Sequence, residues 1–272
     1  AVALLLVFVS APTVVTAVEK PTDSRPSTVL GKTGAGPISV VVDPFGGVYT
    51  ANSRANNVTK ITASGVSSVF GTTGKTPMGI ALDSQGNVYT SNIGDNTVTR
   101  ISVAGVSSVF GTTGQKPMGI QVDSAGNVYT SNYIDSTVTK ISAEGVSETL
   151  AATGIHPLGI ILDPAGNVYT ANEGSDTVTK ITPSGVASTF GTTGGWPQAI
   201  AIDPSGAIFT ANWNSANVSR ITADGTSTIV GNTGRRPIGI TIDPNGNIYI
   251  TNDGSDTVSQ LKPGGESRII AI

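Results

Sequence analysis

The sequence contains no cysteine, only one histidine and few charged side chains. The lack of cysteine excludes disulfides, thiolate metal sites and cysteine nucleophiles. A single imidazole is too few for most transition-metal sites, so we expect no metal and no cofactor. Charged residues make up 12% of the chain and the net charge is −3, which leaves no basic surface for a nucleic acid or an anionic membrane.

Long hydrophobic runs are equally scarce. The most apolar stretch, residues 1–9, is shorter than the roughly 20 residues that a membrane-spanning helix needs. Small residues follow it up to Ala17, as in a secretory signal and its cleavage site. We therefore interpret residues 1–17 as a signal-like segment and predict a secreted or cell-surface protein. If this segment is retained instead, its apolar side chains must be buried, for example against a neighbouring subunit.

From residue 31 onward the chain consists of six copies of a 40-residue unit, without insertion or deletion. One aspartate recurs at the same place in every copy: Asp43, Asp83, Asp123, Asp163, Asp203 and Asp243. A period near 40 with strand-like segments is typical of a β-propeller, whose units bury their faces only against one another. The sequence predicts an all-β protein in which residues 31–272 form a six-bladed β-propeller.

The second copy, residues 71–110, indicates how one unit forms one blade. A first strand ends in a turn at Asp83, whose side chain can accept from the following backbone N–H groups, while Gly86 supplies a positive φ. Three further strands follow, with alternating β-branched residues in the third. We predict four antiparallel strands per blade, with the repeated aspartates acting as turn caps and not as a cation site.

The sequence leaves two ways of closing the ring. We interpret residues 18–30 as a linker, within which residues 27–30 resemble the last strand of a blade, as residues 266–270 do at the other end. Either the N-terminal strand completes the last blade, or the C-terminal strand does so and the N-terminal one is spare. A spare strand next to an exposed sheet edge can pair with another chain.

The pattern Pro-x-Gly-Ile-x-x-Asp-x-x-Gly-Asn-Val-Tyr occurs in residues 77–89, 117–129 and 157–169. It resembles the NHL-repeat propellers and, more distantly, the streptogramin lyases of the virginiamycin B lyase family. The resemblance extends over nearly the whole chain from residue 31 and implies a six-bladed propeller. Resemblance to the lyases also implies a magnesium ion held by two histidines and a glutamate. His156 and Glu173 supply at most part of that set, so we expect no enzyme activity.

The copies differ most informatively at two positions of the repeat. The first position is occupied in turn by Gly36, Thr76, Lys116, His156, Trp196 and Arg236, and the second by Ser53, Ile93, Tyr133, Glu173, Trp213 and Asp253. Both tryptophans and the only histidine fall at these positions. The family resemblance implies that both lie on one face of the propeller. The candidate ligand-binding residues, all in copies 3 to 6, are Lys116, Tyr133, His156, Glu173, Trp196, Trp213, Arg236 and Asp253.

Exposed aromatic and arginine side chains commonly carry the binding energy of protein interfaces. We therefore predict an exported, non-enzymatic binding module for a glycan, a peptide or a surface component, held by Trp196, Trp213 and Tyr133. The alternative interpretation is that the two indoles form a structural plug in the channel mouth. Two further functions stay open: a self-assembling surface or filament subunit that uses residues 1–30 to form a homo-oligomer, and a lyase-like enzyme with His156 as its base.

Overall fold

The computed structural model describes residues 6–7 and 29–271, and it is all β over these residues. Six sheets, each containing four consecutive antiparallel strands, form the blades of a propeller. The predicted fold class is therefore confirmed. The expectations for residues 1–17 and 18–28 lie outside the described residues, apart from Leu6–Val7. Within the described part of the chain, no helix is long and apolar enough to cross a membrane.

The strands follow one another blade by blade, and we call the four strands of a blade A, B, C and D in chain order. The two-residue strand β1 (Leu6–Val7) precedes the blades. Blade 1 contains β2 (Pro37–Val42), β3 (Val48–Asn52), β4 (Asn57–Ile61) and β5 (Ser67–Thr72). Blade 2 contains β6 (Pro77–Leu82), β7 (Val88–Asn92), β8 (Thr97–Ile101) and β9 (Ser107–Thr112). Blade 3 contains β10 (Pro117–Val122), β11 (Val128–Asn132), β12 (Thr137–Ile141) and β13 (Ser147–Ala152).

The second half of the ring repeats the same order. Blade 4 contains β14 (Pro157–Leu162), β15 (Val168–Asn172), β16 (Thr177–Ile181) and β17 (Ala187–Thr192). Blade 5 contains β18 (Pro197–Ile202), β19 (Ile208–Asn212), β20 (Asn217–Ile221) and β21 (Ser227–Asn232). Blade 6 contains β22 (Pro237–Ile242), β23 (Ile248–Asn252), β24 (Thr257–Leu261) and β25 (Ser267–Ala271). The C-terminal strand β25 thus completes blade 6, and Val29 and Leu30 belong to no strand.

Hydrophobic clusters between successive blades form the core. Between blades 1 and 2, Tyr49 and Val58 pack with Ile80 and Ile101 of the next sheet. Equivalent clusters join blades 2 and 3, 3 and 4, 4 and 5, and 5 and 6. Full burial of an isoleucine or valine side chain contributes about 1.5–3 kcal/mol. Because each cluster draws on two blades, a single blade cannot form this core alone.

The junction between blade 6 and blade 1 differs from the other five. No equivalent cluster joins these two blades among residues 29–271. Instead, β1 pairs in parallel with β2, with Leu6 opposite Ser39 and Val7 opposite Val40, and it also contacts β22. Val258 of blade 6 is only partly buried. Its counterparts in the other blades are completely buried: Val58, Val98, Val138, Val178 and Val218. We call this junction the seam.

The chain also approaches blade 1 as if another blade preceded it. The Lys32 backbone N–H donates to Ser67 Oγ at 2.9 Å, as the Thr112 N–H of blade 2 donates to Ser147 Oγ of blade 3 at 3.1 Å. Leu30 therefore lies where the end of a preceding strand D belongs. Since β25 already forms the strand D of blade 6, the seam contains both segments and cannot pack like the other junctions.

The A-to-B turns form one face of the propeller, which we call the turn face. Asp123 shows their chemistry: its Oδ1 accepts from the Ala125 and Asn127 backbone N–H groups at 2.9 Å, and its Oδ2 accepts from Asn127 Nδ2 at 2.7 Å and from the Tyr129 hydroxyl at 3.1 Å. The two backbone hydrogen bonds recur at all six aspartates. The prediction that these aspartates cap turns is confirmed.

Candidate functional site

The two variable positions of the repeat lie side by side on the opposite face, which we call the loop face. In every blade the backbone N–H of the second position donates to the backbone carbonyl of the first, for example Trp213 to Trp196 at 2.9 Å and Glu173 to His156 at 3.0 Å. The D-to-A connection and the B-to-C loop of each blade therefore meet at this pair. The expectation that both positions share one face is correct.

A buried asparagine supports each of these loops from below. Asn92 Nδ2 donates to Thr97 Oγ1 at 3.1 Å and to Thr99 Oγ1 at 3.0 Å, which ties strand B to strand C. The Gly74 backbone N–H donates to the same Thr99 hydroxyl oxygen at 2.9 Å and so joins the D-to-A connection. The asparagines of all six blades are buried. The loop face therefore rests on a buried polar network that does not depend on the variable side chains. In blade 6 this network is incomplete, because Asn252 Oδ1 has no hydrogen-bond partner among the described residues.

The first variable position has a left-handed backbone in every blade. Its φ is 67° at Gly36 and lies between 52° and 58° in the five other copies: Thr76, Lys116, His156, Trp196 and Arg236. Left-handed backbone costs a residue with a Cβ atom roughly 1–2 kcal/mol, and glycine avoids this cost. Glycine fits this position in blade 1, so the side chains elsewhere are not required by the backbone.

Tyr133, His156, Glu173 and Gln198 form one contiguous group across blades 3 to 5. The Tyr133 and His156 rings stack with centroids 4.3 Å apart and planes 12° apart. The Tyr133 hydroxyl donates to Glu173 Oε2 at 2.7 Å, and Gln198 Nε2 donates to Glu173 Oε1 at 3.0 Å. Burial, the hydrogen bond to Glu173 and its negative charge raise the pKa of Tyr133 to about 12. The phenol is therefore a stable hydrogen-bond donor at neutral pH.

Trp196 and Trp213 form the second group, in blade 5. Their rings stack with centroids 5.2 Å apart and planes 19° apart, and Trp196 is 44% exposed. The Arg236 guanidinium of blade 6 lies over the Trp213 ring, with Cζ 4.9 Å from its centroid. Cation–π contacts of this kind are worth about 0.5–1 kcal/mol at exposed sites. The pair and the arginine together present a broad aromatic and cationic surface.

The side-chain contacts only partly follow the pairing within each blade. Trp196 and Trp213 contact each other as paired, but Tyr133 stacks on His156 of the next blade, and Trp213 lies under Arg236 of the next blade. Among residues 29–271, Lys116 and Asp253 form no ion pair within 4.0 Å with any candidate residue. The arrangement is therefore an arc that runs from blade to blade, with Lys116 and Asp253 at its ends.

Three contributors were missed by the sequence analysis. Gln198 occupies a strand A position that holds Ile38, Met78, Met118, Leu158 and Ile238 in the other copies, so a lone polar residue there was a usable signal. Ala216 and Arg235 line a pocket beside Trp213 and Arg236. Ala216 also departs from its column, which otherwise contains Asn56, Asn96, Ser136, Asp176 and Asp256.

The magnesium site implied by the lyase resemblance does not fit the residues present. The chain has only one histidine, and its ring is stacked on Tyr133. Both Glu173 carboxylate oxygens already accept hydrogen bonds, from Tyr133 and Gln198. Within the described residues, no group of three or more His, Asp or Glu side chains could hold a metal ion. We therefore derive no chemistry from a bound magnesium ion.

Solved structures with the same fold include two lyases and a chain of the nidogen/laminin complex. A virginiamycin B lyase from Staphylococcus aureus, a catalytically inactive variant with quinupristin, has a TM-score of 0.77 and 19% identity over 88% of this chain and 85% of that one. A streptogramin B lyase has a TM-score of 0.73 and 16% identity over 87% and 80%. A chain of the nidogen/laminin complex has a TM-score of 0.64 and 17% identity over 80% and 90%.

Sequence comparison gives the family. No curated protein matches the chain significantly. The family model described as the virginiamycin B lyase family matches residues 107–271, more than half of the 272 residues. The match runs from strand D of blade 2 through blade 6 and includes all candidate residues. The resemblance to streptogramin lyase propellers is thereby confirmed, and the chain belongs to the virginiamycin B lyase family.

Proposed function

We propose that the protein is a non-enzymatic binding module that holds an exposed peptide segment of another protein on the loop face of blades 3 to 6. The observation that carries this proposal is the run of large side chains at left-handed backbone positions, where Gly36 shows that the fold accepts glycine. A side chain kept at a left-handed position where glycine would fit costs stability, and strain of this kind is typical of functional sites. Three of these strained residues, His156, Trp196 and Arg236, take part in the aromatic arc.

The types of side chain favour a peptide over the other ligand classes. Tryptophan, tyrosine and arginine are enriched among residues that dominate binding energy at protein interfaces. The arc also offers a phenol, an amide and a guanidinium next to the aromatic surfaces, which suits the mixed apolar and polar groups of a peptide. The fold has served protein association elsewhere, as in the nidogen/laminin complex.

The chemistry at His156 argues against catalysis. A general base needs a free imidazole within reach of a substrate proton, together with a group that orients it. The His156 ring lies flat against Tyr133, and no carboxylate hydrogen bond to the ring is present among residues 29–271. The carboxylate of Glu173, the paired residue in the same blade, already accepts from Tyr133 and Gln198.

The proposal places the module outside the cell. Its support is the apolar run of residues 1–9 followed by small residues, as in an export signal. The mass of the N-terminal peptide of the protein from its native source tests this point. A terminus near Val18 supports export and cleavage, whereas a terminus at Ala1 contradicts cleavage.

Selection from a random-sequence peptide display library tests the binding function. We expect peptides that bind the wild-type protein and lose at least about tenfold in affinity to a Trp196→Ala/Trp213→Ala double variant, since two anchors are removed. A matched control is Arg54→Ala, in the B-to-C loop of blade 1 on the same face. Circular dichroism verifies that both proteins remain folded. Peptides that bind the double variant as tightly as the wild type would contradict the proposal.

A second measurement tests the non-enzymatic part. Quinupristin, the compound present with the Staphylococcus aureus lyase, is incubated with the protein and with His156→Ala, and its mass and chromatographic retention are followed. We expect both to stay unchanged with either protein. Conversion by the wild type that disappears in His156→Ala would establish an enzyme and overturn this part of the proposal.

A further inference from the structure

A pocket of about 260 Å³ lies between blades 5 and 6 on the loop face. Trp213, Asn214, Ala216, Arg235 and Arg236 line it. The lining thus contains two guanidinium groups and no carboxylate. Over residues 29–271 neither arginine forms an ion pair within 4.0 Å. Two unpaired cations in one concave site attract an anionic group.

Arg236, one of the pocket residues, also has a backbone N–H whose counterparts in four other blades are satisfied by a side chain. In four copies the backbone N–H at the first variable position donates to a side chain of the preceding blade: Thr76 to Asn56 Oδ1 at 2.7 Å, Lys116 to Asn96 Oδ1 at 2.9 Å, His156 to Ser136 Oγ at 3.3 Å and Trp196 to Asp176 Oδ1 at 2.7 Å. Ala216 takes the corresponding place before Arg236 and has no side-chain acceptor. In the described part of the chain, the Arg236 backbone N–H has no hydrogen-bond acceptor.

The Arg236 side chain is held in position without being neutralised. It lies over the Trp213 ring, and its Cγ and Cδ atoms pass so close to Gly254 that a Cβ there would approach them to 2.9 Å. The ring and the glycine therefore restrain the stem of the side chain. Stacking on a ring face leaves the guanidinium N–H groups, which lie in its plane, free to donate to a planar acceptor.

We propose that this pocket binds a carboxylate group of the peptide ligand. One carboxylate oxygen accepts from the Arg236 backbone N–H, and the guanidinium groups of Arg236 and Arg235 provide the charge. A carboxylate fits because its planar pair of oxygens matches the arginine fork and because isolated backbone N–H groups commonly capture carboxylates. The inference rests on the proposed function, whose ligand it specifies as an acidic peptide bound beside the tryptophan pair.

Amide NMR of the intact, ¹⁵N-labelled protein tests the inference with defined probes. The first probe is N-acetyl-triglycine with a free C-terminal carboxylate, and its C-terminal amide is the matched control. We expect the carboxylate, and not the amide, to shift the Arg236 N–H resonance. N-acetyl-Gly-Asp-Gly-amide shows whether a side-chain carboxylate is accepted as well. A shift with either carboxylate peptide supports the inference and identifies the source of the group.

Substitutions at Ala216 separate the roles of the N–H and of the charge. Ala216→Asn restores the acceptor of Asn56 and Asn96 without adding charge, so we expect about tenfold weaker binding of the carboxylate probe. Ala216→Asp, which copies Asp176, should abolish detectable binding because it also adds a repelling charge. Ala216→Gly leaves the N–H free and should bind like the wild type. Arg236→Gln should weaken binding about tenfold, because a charged hydrogen-bond donor is lost.

Four outcomes would overturn the inference: no shift with any carboxylate peptide, an equal shift with the amide control, a shift with inorganic phosphate only, and a shift with glucuronate only, which would indicate an acidic sugar. The library experiment remains independent. Some library peptides could depend on the tryptophans and still bind Ala216→Asp as tightly as the wild type. Such peptides would support the binding function and contradict the carboxylate pocket. If the carboxylate probe binds but no tryptophan-dependent peptides are found, the carboxylate pocket is supported and the proposed peptide-binding function is contradicted.

Discussion

The two faces of the propeller are built from the same six repeats, yet the key residue is the same in every copy on one face and different in every copy on the other. On the turn face, one aspartate recurs six times and makes the same two backbone hydrogen bonds in every copy. On the loop face, the first variable position, which is left-handed in every blade, holds six different residue types in six blades. The side chains that cap the turns are uniform, whereas the side chains at the first variable position differ in every blade. The comparison separates residues that serve the fold from those that we propose bind a ligand.

The largest effect is expected on the turn face, for Asp123→Ala. This change removes the acceptor of four hydrogen bonds, so we expect unfolding to need about 3 kcal/mol less free energy. Urea denaturation measures the loss, and peptide binding on the loop face should not change. Asp203→Ala is the matched control. Asp203 accepts only from Ser205 and the Ala207 N–H, because Ala207 and Phe209 replace the asparagine and the tyrosine.

We expect Asp203→Ala to lower the free energy of unfolding clearly less than Asp123→Ala does. Equal losses would mean that Asn127 and Tyr129 add nothing to the turn. A loss of peptide binding in Asp123→Ala, without unfolding, would break the division between the two faces.

A smaller effect is expected on the loop face, for Tyr133→Phe. The hydroxyl that donates to Glu173 is lost, and we expect a cost of about 1 kcal/mol at neutral pH. The pKa of Tyr133 is raised from 10.0 to about 12, by burial first and then by Glu173. Because the folded pKa is the higher one, this contribution is complete below pH 10 and is lost as the pH rises through about 12.

Urea midpoints of the wild type and Tyr133→Phe, measured across this pH range, give the difference directly. The two proteins should converge in stability as the phenol ionises. Tyr89→Phe, on the turn face, is the comparison variant, since burial and the charge of Asp83 raise the pKa of Tyr89 to about 12 as well. A constant difference between Tyr133→Phe and the wild type up to pH 12 would show that the hydroxyl is not a stabilising donor in the folded protein.

The smallest effect, and one of opposite sign, is expected for Lys116→Gly. The Lys116 side chain is exposed and its φ is 52°. Relief of left-handed strain should exceed the entropic cost of glycine, so we expect a gain of about 0.5 kcal/mol in unfolding free energy. Thermal unfolding measures it. The reverse change in blade 1, Gly36→Ala, should destabilise the protein, and a stabilising Gly36→Ala would contradict the strain argument.

Much of the fold could be predicted from the sequence because its determinants are local and repeated six times. Asp83 and Gly86 mark a turn by their own backbone chemistry, and the 40-residue period gives the number of blades. The closure of the ring could not be predicted in this way. Residues 27–30 and 266–270 both resemble a last strand, and only the pairing of β25 with β24 distinguishes them.

The candidate site was predictable in its location but not in its contacts. The two variable positions, which contain His156 and Trp213, stand out because no two copies have the same residue there. Their partners depend on the distance between neighbouring blades, which a repeat length does not provide. His156 and Glu173 occupy the paired positions of blade 4, whereas the His156 ring stacks on Tyr133 of the preceding blade. The absence of an acceptor at Ala216 became meaningful only when the hydrogen bonds of the other blades were known.

The seam gives the propeller two ends. A fully closed ring has none, since every blade is held on both sides and opening one junction leaves each blade still attached. Here no hydrophobic cluster of residues 29–271 joins blades 6 and 1, and β1 is the strand that contacts both, so we expect coupling between blades to be weakest at this junction. We therefore expect amide hydrogen exchange to be fastest in these terminal blades and to slow toward blades 3 and 4. Fraying would begin at blade 6 and reach the Arg236 pocket before it reaches Tyr133.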